Sequence, residues 1–161
     1  MDNVGKGIIA GFVATLVLSA IILGMDRVMT PESNPARLLT ITAIGAKTPL
    51  LGWLIHFFIG SVAWGVIFAF AEDNVPGPYW FRGLIFGTGV WLLLTVFMMP
   101  LAGIVPMVPT IVGPATGTKA AAERYLMPFA MLLVHWIYGA VLGAVYGALA
   151  PRPGDTRVMH P

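Results

Sequence analysis

The stretch KGIIAGFVATLVLSAIILGMD, residues 6–26, holds 19 uncharged residues between Lys6 and Asp26. A helix needs about 20 apolar residues to cross the hydrocarbon core of a bilayer, so this stretch is long enough for one span. A charged side chain at the centre of a spanning helix costs about 2.5–3.5 kcal/mol to insert, and none is present here. The stretch therefore predicts a first membrane-spanning helix.

The rest of the chain contains three more long gaps between charged residues. They follow Lys47, Arg82 and Arg124 and hold 24, 36 and 27 uncharged residues. Each gap accommodates one span with no acidic or basic residue well inside it. The sequence therefore predicts an all-α polytopic membrane protein, a single domain over 1–161 whose four transmembrane helices lie at about 7–27, 50–71, 82–105 and 126–150.

The overall composition agrees with this fold class. Hydrophobic residues make up 58% of the 161 residues, charged residues 10%, and the mean hydropathy is +0.86. Soluble domains carry about 25% charged residues, so a soluble monomer is excluded. The net charge of +2 is too small to indicate nucleic-acid binding. Because the chain has no cysteine, disulfides, thiolate metal sites and cysteine nucleophiles are excluded as well.

The second half of the chain resembles the first when the sequence is shifted against itself. A shift of 76 residues aligns the first helix with the third, in the pairs Lys6/Arg82, Gly7/Gly83 and Gly11/Gly87. A shift of 79 residues aligns the second helix with the fourth, in the pairs His56/His135 and Gly60/Gly139. The pattern predicts a tandem repeat of two-helix units in the same orientation, related by an axis along the membrane normal.

Small residues recur at helical spacing on three of the predicted helices. Spacing by four lets helix backbones approach closely in lipid, where no hydrophobic force drives helices together. Two interpretations stay open, packing inside this chain and docking of a partner's helix on the same face. The candidate helix-packing positions are Gly7, Gly11, Gly83, Gly87, Gly139, Gly143 and Gly147.

The segments between the spans predict contacts with the membrane interface. Residues 28–49 are predicted to form a short interfacial helix. Residues 106–125 are predicted to form an apolar, proline-rich segment at the interface. An even number of spans places both termini on one side, and the basic residues next to the spans favour the cytoplasm. The candidate interface residues are Lys6, Tyr79, Trp80, Arg82, Arg124 and Arg152.

Five stretches, from KGIIAGFVATLVLSA at 6–20 to HWIYGAVLGAVYG at 135–147, together resemble an uncharacterised bacterial family of small four-helix integral membrane proteins. The resemblance covers roughly residues 4–150, and this chain is longer than is typical around 106–125. It implies a four-helix fold in the bacterial inner membrane, and it implies no activity and no catalytic residue. The stretches are KGIIAGFVATLVLSA (6–20), LGWLIHFFIGSVAWG (51–65), GPYWFRGLIFGTGVWLL (77–93), MMPLAG (98–103) and HWIYGAVLGAVYG (135–147).

Two histidines are the candidate cofactor ligands. His56 and His135 lie well inside the predicted spans, where an ionisable residue is a functional candidate by default. Each is followed four residues later by a glycine, which leaves room for a flat ring. At similar depth, the two imidazoles can supply two axial ligands to one haem, or one ligand each to chlorophyll-type pigments. The favoured interpretation is neutral histidines bonded to a backbone carbonyl, Ser61 or Thr95, with no cofactor. A proton or substrate role is the remaining alternative.

Three functions from different classes remain open at this stage. The favoured one is a non-catalytic accessory or structural subunit that packs against a larger membrane complex of respiratory or photosynthetic type. Its partners are the lipid bilayer and other membrane-protein subunits, and no nucleic acid. The second is a small homo-oligomeric transporter or channel, suggested by the repeat. The third is a haem- or pigment-binding membrane protein that uses the two histidines.

Overall fold

The structure, a computed structural model, describes residues 2–25, 49–98 and 118–150. These residues form four helices, and a short turn joins the second helix to the third. Helix α1 covers Asn3–Met25. Helix α2 consists of Pro49–Phe57, a π-helical turn Phe58–Ala63 and Trp64–Ala71. Helix α3 covers Tyr79–Leu92 and continues as the π-helical turn Leu93–Met98, and helix α4 covers Thr118–Leu149.

The start of α1 is set by Asp2. Its side-chain Oδ1 accepts the backbone N–H of Gly5 at 2.7 Å, and its carbonyl accepts the N–H of Lys6 at 3.2 Å. The carboxylate satisfies one of the N–H groups that the first turn of a helix leaves unpaired. The helix therefore begins at Asn3, earlier than the predicted residue 7.

The turn between α2 and α3 depends on Gly77. After the 3₁₀ turn Glu72–Asn74, Gly77 adopts a φ of +108°, a backbone angle that residues with a Cβ rarely adopt. Pro78 follows with an extended backbone, and its carbonyl accepts the N–H groups of Phe81 and Arg82. The chain thus reverses direction within a few residues, and α3 starts at Tyr79.

Glycine contacts hold the helices together in two pairs. Gly7 packs against the backbone of Gly65, which joins α1 to α2. Gly83 and Gly139 pack against each other and join α3 to α4. Helix α1 also packs against α4, so the two pairs share one core. Its buried apolar residues are Ala10, Ala14, Phe68, Ala69, Tyr138, Leu142 and Tyr146.

The contacts also show which ends of the helices lie together. Gly7, near the start of α1, meets Gly65 and Ala69 near the end of α2. Gly147, near the end of α4, meets the ring of Tyr79 at the start of α3. The start of α1, the α2–α3 turn and the end of α4 therefore occupy the same end of the bundle.

Three described helical stretches are long and apolar enough to cross a membrane. They are Asn3–Gly24, Leu50–Asn74 and Phe129–Leu149. The predicted third span, 82–105, lies partly outside the described residues, as do the predicted interfacial segments 28–49 and 106–125. Helix α4 begins at Thr118, ahead of the predicted residue 126, and its first turns contain the strong helix formers Lys-Ala-Ala-Ala-Glu at 119–123.

Candidate functional site: buried polar groups of the bundle

A chain of hydrogen bonds links α1 to His56 on α2. The Thr15 hydroxyl donates to the Gly11 carbonyl at 2.7 Å, and the Ser19 hydroxyl donates to the Thr15 carbonyl at 2.7 Å. Nε2 of His56 lies 3.2 Å from Ser19 Oγ. All three side chains are buried, with Thr15 fully enclosed.

This series of hydrogen bonds determines which ring nitrogen of neutral His56 carries the hydrogen. The Ser19 hydroxyl has one hydrogen, and it donates that hydrogen to the Thr15 carbonyl. Ser19 Oγ therefore accepts a hydrogen bond from His56. Nε2 therefore carries a hydrogen in the neutral ring. Haem-type ligation through Nε2 would require that hydrogen bond to break. The ring edge also packs against Trp53 and Phe57, at centroid distances of 5.6 and 5.8 Å.

His135 on α4 has a different arrangement. Its Nδ1 lies 2.7 Å from the carbonyl oxygen of Met131, one turn earlier on the same helix. Since a carbonyl can only accept, Nδ1 carries the hydrogen and Nε2 keeps its lone pair. The backbone of His135 at the same time packs against Gly87 of α3.

The two histidines lie on helices that run in the same direction, but they have separate neighbours. His56 belongs to the contact between α1 and α2, whereas His135 belongs to the contact between α3 and α4. Among the described residues, no group of three or more histidine or acidic side chains could hold a metal ion. One histidine is bonded to a hydroxyl and the other to a backbone carbonyl, as in the cofactor-free alternative, although the hydroxyl belongs to Ser19 and not to Ser61 or Thr95.

The π-helical turn of α2 provides a hydrogen-bond acceptor in the middle of the bundle. The Tyr138 hydroxyl, on α4, donates to the Gly60 carbonyl within this turn at 2.6 Å. Gly60 itself faces Thr15, whose side chain occupies the place that a Cβ would take. Three helices thus meet at Gly60, and sequence analysis missed this junction because a π-helical turn has no simple sequence signature.

A buried ion pair lies at the end of the bundle that contains the α2–α3 turn. Glu72 is only 4% exposed, and its carboxylate accepts a hydrogen bond from Nη1 of Arg82. Nη1 also donates to the Glu72 carbonyl at 3.3 Å, and Nε donates to the Gly77 carbonyl at 2.8 Å. Asp73 approaches the same guanidinium at 3.9 Å from an exposed position. Sequence analysis placed Arg82 at the interface without its partner, since the pair forms only across the turn.

An open cleft extends along α2 and α3 from this ion pair. Its volume is about 270 Å³. Glu72 and Arg82 lie at one end and Leu93 at the other. Phe68 and Phe86 meet edge to face at 5.2 Å in its wall. Gly89 also lines the cleft, and a Cβ added there would meet nothing within 4 Å.

All seven candidate helix-packing glycines contact another helix of this same chain. Gly7 and Gly11 face α2, and Gly83 and Gly87 face α4. The remaining three lie on α4 and face α3, where Gly143 meets the backbone of Tyr79 and Gly147 meets its ring. These faces are therefore occupied within the protein.

The candidate interface residues have unlike surroundings. Lys6 is buried, and its Nζ donates to Asn3 Oδ1 at 3.1 Å on the first turn of α1. Trp80 is half exposed, whereas the Tyr79 ring packs inward against Gly147 and lies 4.9 Å from the Arg82 guanidinium. The side chain of Arg124 and all of Arg152 lie outside the described residues.

Comparisons with known proteins bear on the family alone. Neither the curated proteins nor the solved structures yield a match to this chain. A family model does match it along nearly its whole length, and the predicted membership in an uncharacterised family is confirmed. The chain belongs to the family of unknown function DUF6789, whose model matches residues 1–157.

Proposed function

We propose that the protein is embedded in a bilayer by its four helices and serves as a non-catalytic accessory subunit of a larger membrane complex. The observation that carries this proposal is the distribution of its side chains. Large apolar residues cover the outside of all four helices, while Thr15, Ser19 and His56 point inward. Examples of the exposed residues are Phe12, Leu54, Phe58, Phe70, Phe129 and Leu133.

Water would make such a surface unfavourable. Apolar area costs about 25 cal/mol per Å² when exposed to water, and contiguous exposed patches mark contact with a membrane or with another protein. Lipid removes this cost and leaves the inward hydrogen bonds intact. We extend the proposal to a multi-pass protein of the bacterial inner membrane, the location that the family resemblance implies.

The use of the polar side chains supports a structural role. Thr15, Ser19, Thr88 and His135 each bond to the backbone carbonyl four residues earlier on their own helix. Such bonds satisfy polar groups inside the helix that carries them. The bond to the Thr15 carbonyl also keeps the Ser19 hydroxyl hydrogen away from His56, so His56 does not act as a base toward this serine.

The glycine pairing supports the tandem repeat. In each half, glycines on the first helix pack against the second helix, Gly7 and Gly11 in one half and Gly83 and Gly87 in the other. Because both pairs of glycine faces are used internally, a partner subunit would contact the apolar outer surface instead. This assigns docking to side chains that face outward.

Mild-detergent purification of the tagged protein, followed by mass spectrometry, tests the accessory role. We expect a different membrane polypeptide to co-purify in fixed proportion. Paired alanine variants on each outer face should identify the docking helix, since only one pair should lose the partner while the protein stays in the membrane fraction. The pairs are Phe12/Leu16 on α1, Leu54/Phe58 on α2, Phe81/Leu92 on α3 and Phe129/Leu133 on α4. Purification without a second polypeptide would refute the role, and purification as a complex of its own copies would favour the homo-oligomeric transporter.

A pigment-binding role is the second candidate, and His135 favours it. A histidine whose Nδ1–H is bonded to a carbonyl presents Nε2 as a ligand in the orientation that metal sites use. An absorption spectrum of the freshly purified protein decides this point. A Soret or chlorophyll-type band that disappears in His135→Ala and persists in His56→Ala would establish the role.

A further inference from the structure

The cleft between α2 and α3 combines an apolar wall with charged groups at one end. Trp64, Phe68, Ile85 and Phe86 line its length. Glu72 and Arg82 close the end next to the α2–α3 turn, with Asp73 beside them. A ligand that fits both parts must itself be amphipathic.

The length of the cleft corresponds to one leaflet of a bilayer. Along α3 it extends from Arg82, on the first turn, to Leu93. A helix rises about 16 Å over that distance. Half of the hydrocarbon core measures about 15 Å, so the cleft extends from headgroup depth to the bilayer centre when Arg82 lies at the interface.

The charges at the end of the cleft fit a zwitterion. Arg82 uses Nε and Nη1 for hydrogen bonds to Glu72 and Gly77, and among the described residues no partner bonds its Nη2. Arginine N–H groups suit a phosphate oxygen. The Asp73 side chain is 80% exposed and offers a carboxylate to a cation. The three charged groups sum to one negative charge, which disfavours a purely anionic headgroup.

We propose that this cleft binds a phospholipid with a primary ammonium headgroup, of the phosphatidylethanolamine type. One acyl chain lies along the aromatic wall between α2 and α3. The phosphate bonds to Arg82, and the ammonium group pairs with Asp73. A quaternary ammonium has no N–H to donate to the carboxylate, and a glycerol headgroup has no positive charge, so both bind less well.

Native mass spectrometry of the full chain in mild detergent tests the assignment. The protein is stripped of lipid and offered phosphatidylethanolamine, phosphatidylcholine or phosphatidylglycerol with identical acyl chains. We expect the first lipid to be retained best. Retention of all three to the same extent, or of none, would overturn the proposal.

Two glycines provide a matched pair of variants for the cleft. Gly24 and Gly89 are both helical glycines at which an added Cβ meets nothing within 4 Å, but only Gly89 lines the cleft. We expect Gly89→Leu to lower lipid retention about tenfold, as small steric changes in apolar pockets do. Gly24→Leu should bind like the unmodified protein, and equal binding by the two variants would contradict the proposal.

Asp73→Asn tests the headgroup independently of the cleft wall. Its side chain is exposed, so the fold should not depend on it. Removal of the carboxylate should abolish the preference for the ammonium headgroup and raise binding of phosphatidylglycerol, and an unchanged preference counts against the proposal. The inference rests on the bilayer embedding proposed above. Loss of the protein from the membrane fraction would refute that embedding, whereas a membrane-bound protein without lipid selectivity would refute the cleft alone.

Discussion

Two glycines on α3 have different structural roles, although both lack a Cβ. A Cβ added at Gly87 would clash with the His135 carbonyl of α4, whereas one added at Gly89 would enter open space. In lipid, close backbone approach supplies the van der Waals contact that holds helices together. Gly87 is therefore a packing position, and Gly89 leaves space in the cleft.

We expect Gly87→Ala to destabilise the protein by about 1–3 kcal/mol, because the α3–α4 contact must open to admit the methyl group. Unfolding in mixed detergent micelles, followed by loss of helical circular dichroism, measures this change. Gly89→Ala is the control. It should be neutral or slightly stabilising, since alanine favours helix over glycine by up to about 1 kcal/mol. Equal destabilisation by both substitutions would argue against the α3–α4 contact.

The Glu72–Arg82 pair is the second feature at the scale of single residues. Glu72→Ala would leave the guanidinium with backbone acceptors and the distant Asp73. Losing one partner of a fully buried pair costs about 3–5 kcal/mol, but Arg82 is partly exposed, so we expect about 1–3 kcal/mol. The same micellar unfolding experiment measures it. Asp73→Asn should change stability little, since exposed ion pairs contribute about 0–1 kcal/mol.

At the scale of helices, the π-helical turn of α2 is a departure from regular α-helix that provides a contact between helices. Phe58–Ala63 follows an i→i+5 pattern, and the Gly60 carbonyl within it accepts a hydrogen bond from Tyr138 of α4. An acceptor in the middle of one helix thereby becomes a contact between helices.

We expect Tyr138→Phe to remove this contact while keeping the buried ring. Hydrogen bonds between membrane helices average about 0.6 kcal/mol, with the largest near 1.7, so the loss should lie in that range. Trp80→Phe, at a half-exposed aromatic residue, provides a control with no expected change. A Tyr138→Phe variant as stable as the unmodified protein would show that the contact contributes nothing.

At the scale of the whole molecule, the contacts determine how the chain would cross a membrane. Asp2, the α2–α3 turn and the end of α4 lie at the same end of the bundle. If the helices span a bilayer, residues at that end are on the same side. The basic residues next to the spans predict that this side is cytoplasmic.

Single cysteines test this arrangement without background, because the chain has none of its own. We expect Asp2→Cys and Asn74→Cys to resist a membrane-impermeant maleimide in intact cells and to react once the membrane is opened. Ser33→Cys, between the first two predicted spans, should react in intact cells. Labelling of Asp2→Cys and Asn74→Cys from opposite sides would contradict the topology.

Sequence alone is sufficient for the all-helical fold and for the approximate positions of the helices. Long uncharged gaps require apolar helices, because length and hydropathy are properties of each stretch alone. Helix ends were less well determined. Asp2 and Gly77 fix them through individual hydrogen bonds and one backbone angle, which hydropathy does not register.

Which groups meet depends on how the helices pack against one another. The spacing of the glycines indicates close helix packing. Whether a glycine face packs against a helix of this chain or against a partner's helix depends on where the other helices lie. The same reason applies to His56 with Ser19, Tyr138 with Gly60, and Glu72 with Arg82. These partners are far apart along the chain or on opposite sides of a turn, and a hydrogen bond forms only when packing brings both atoms within about 3 Å.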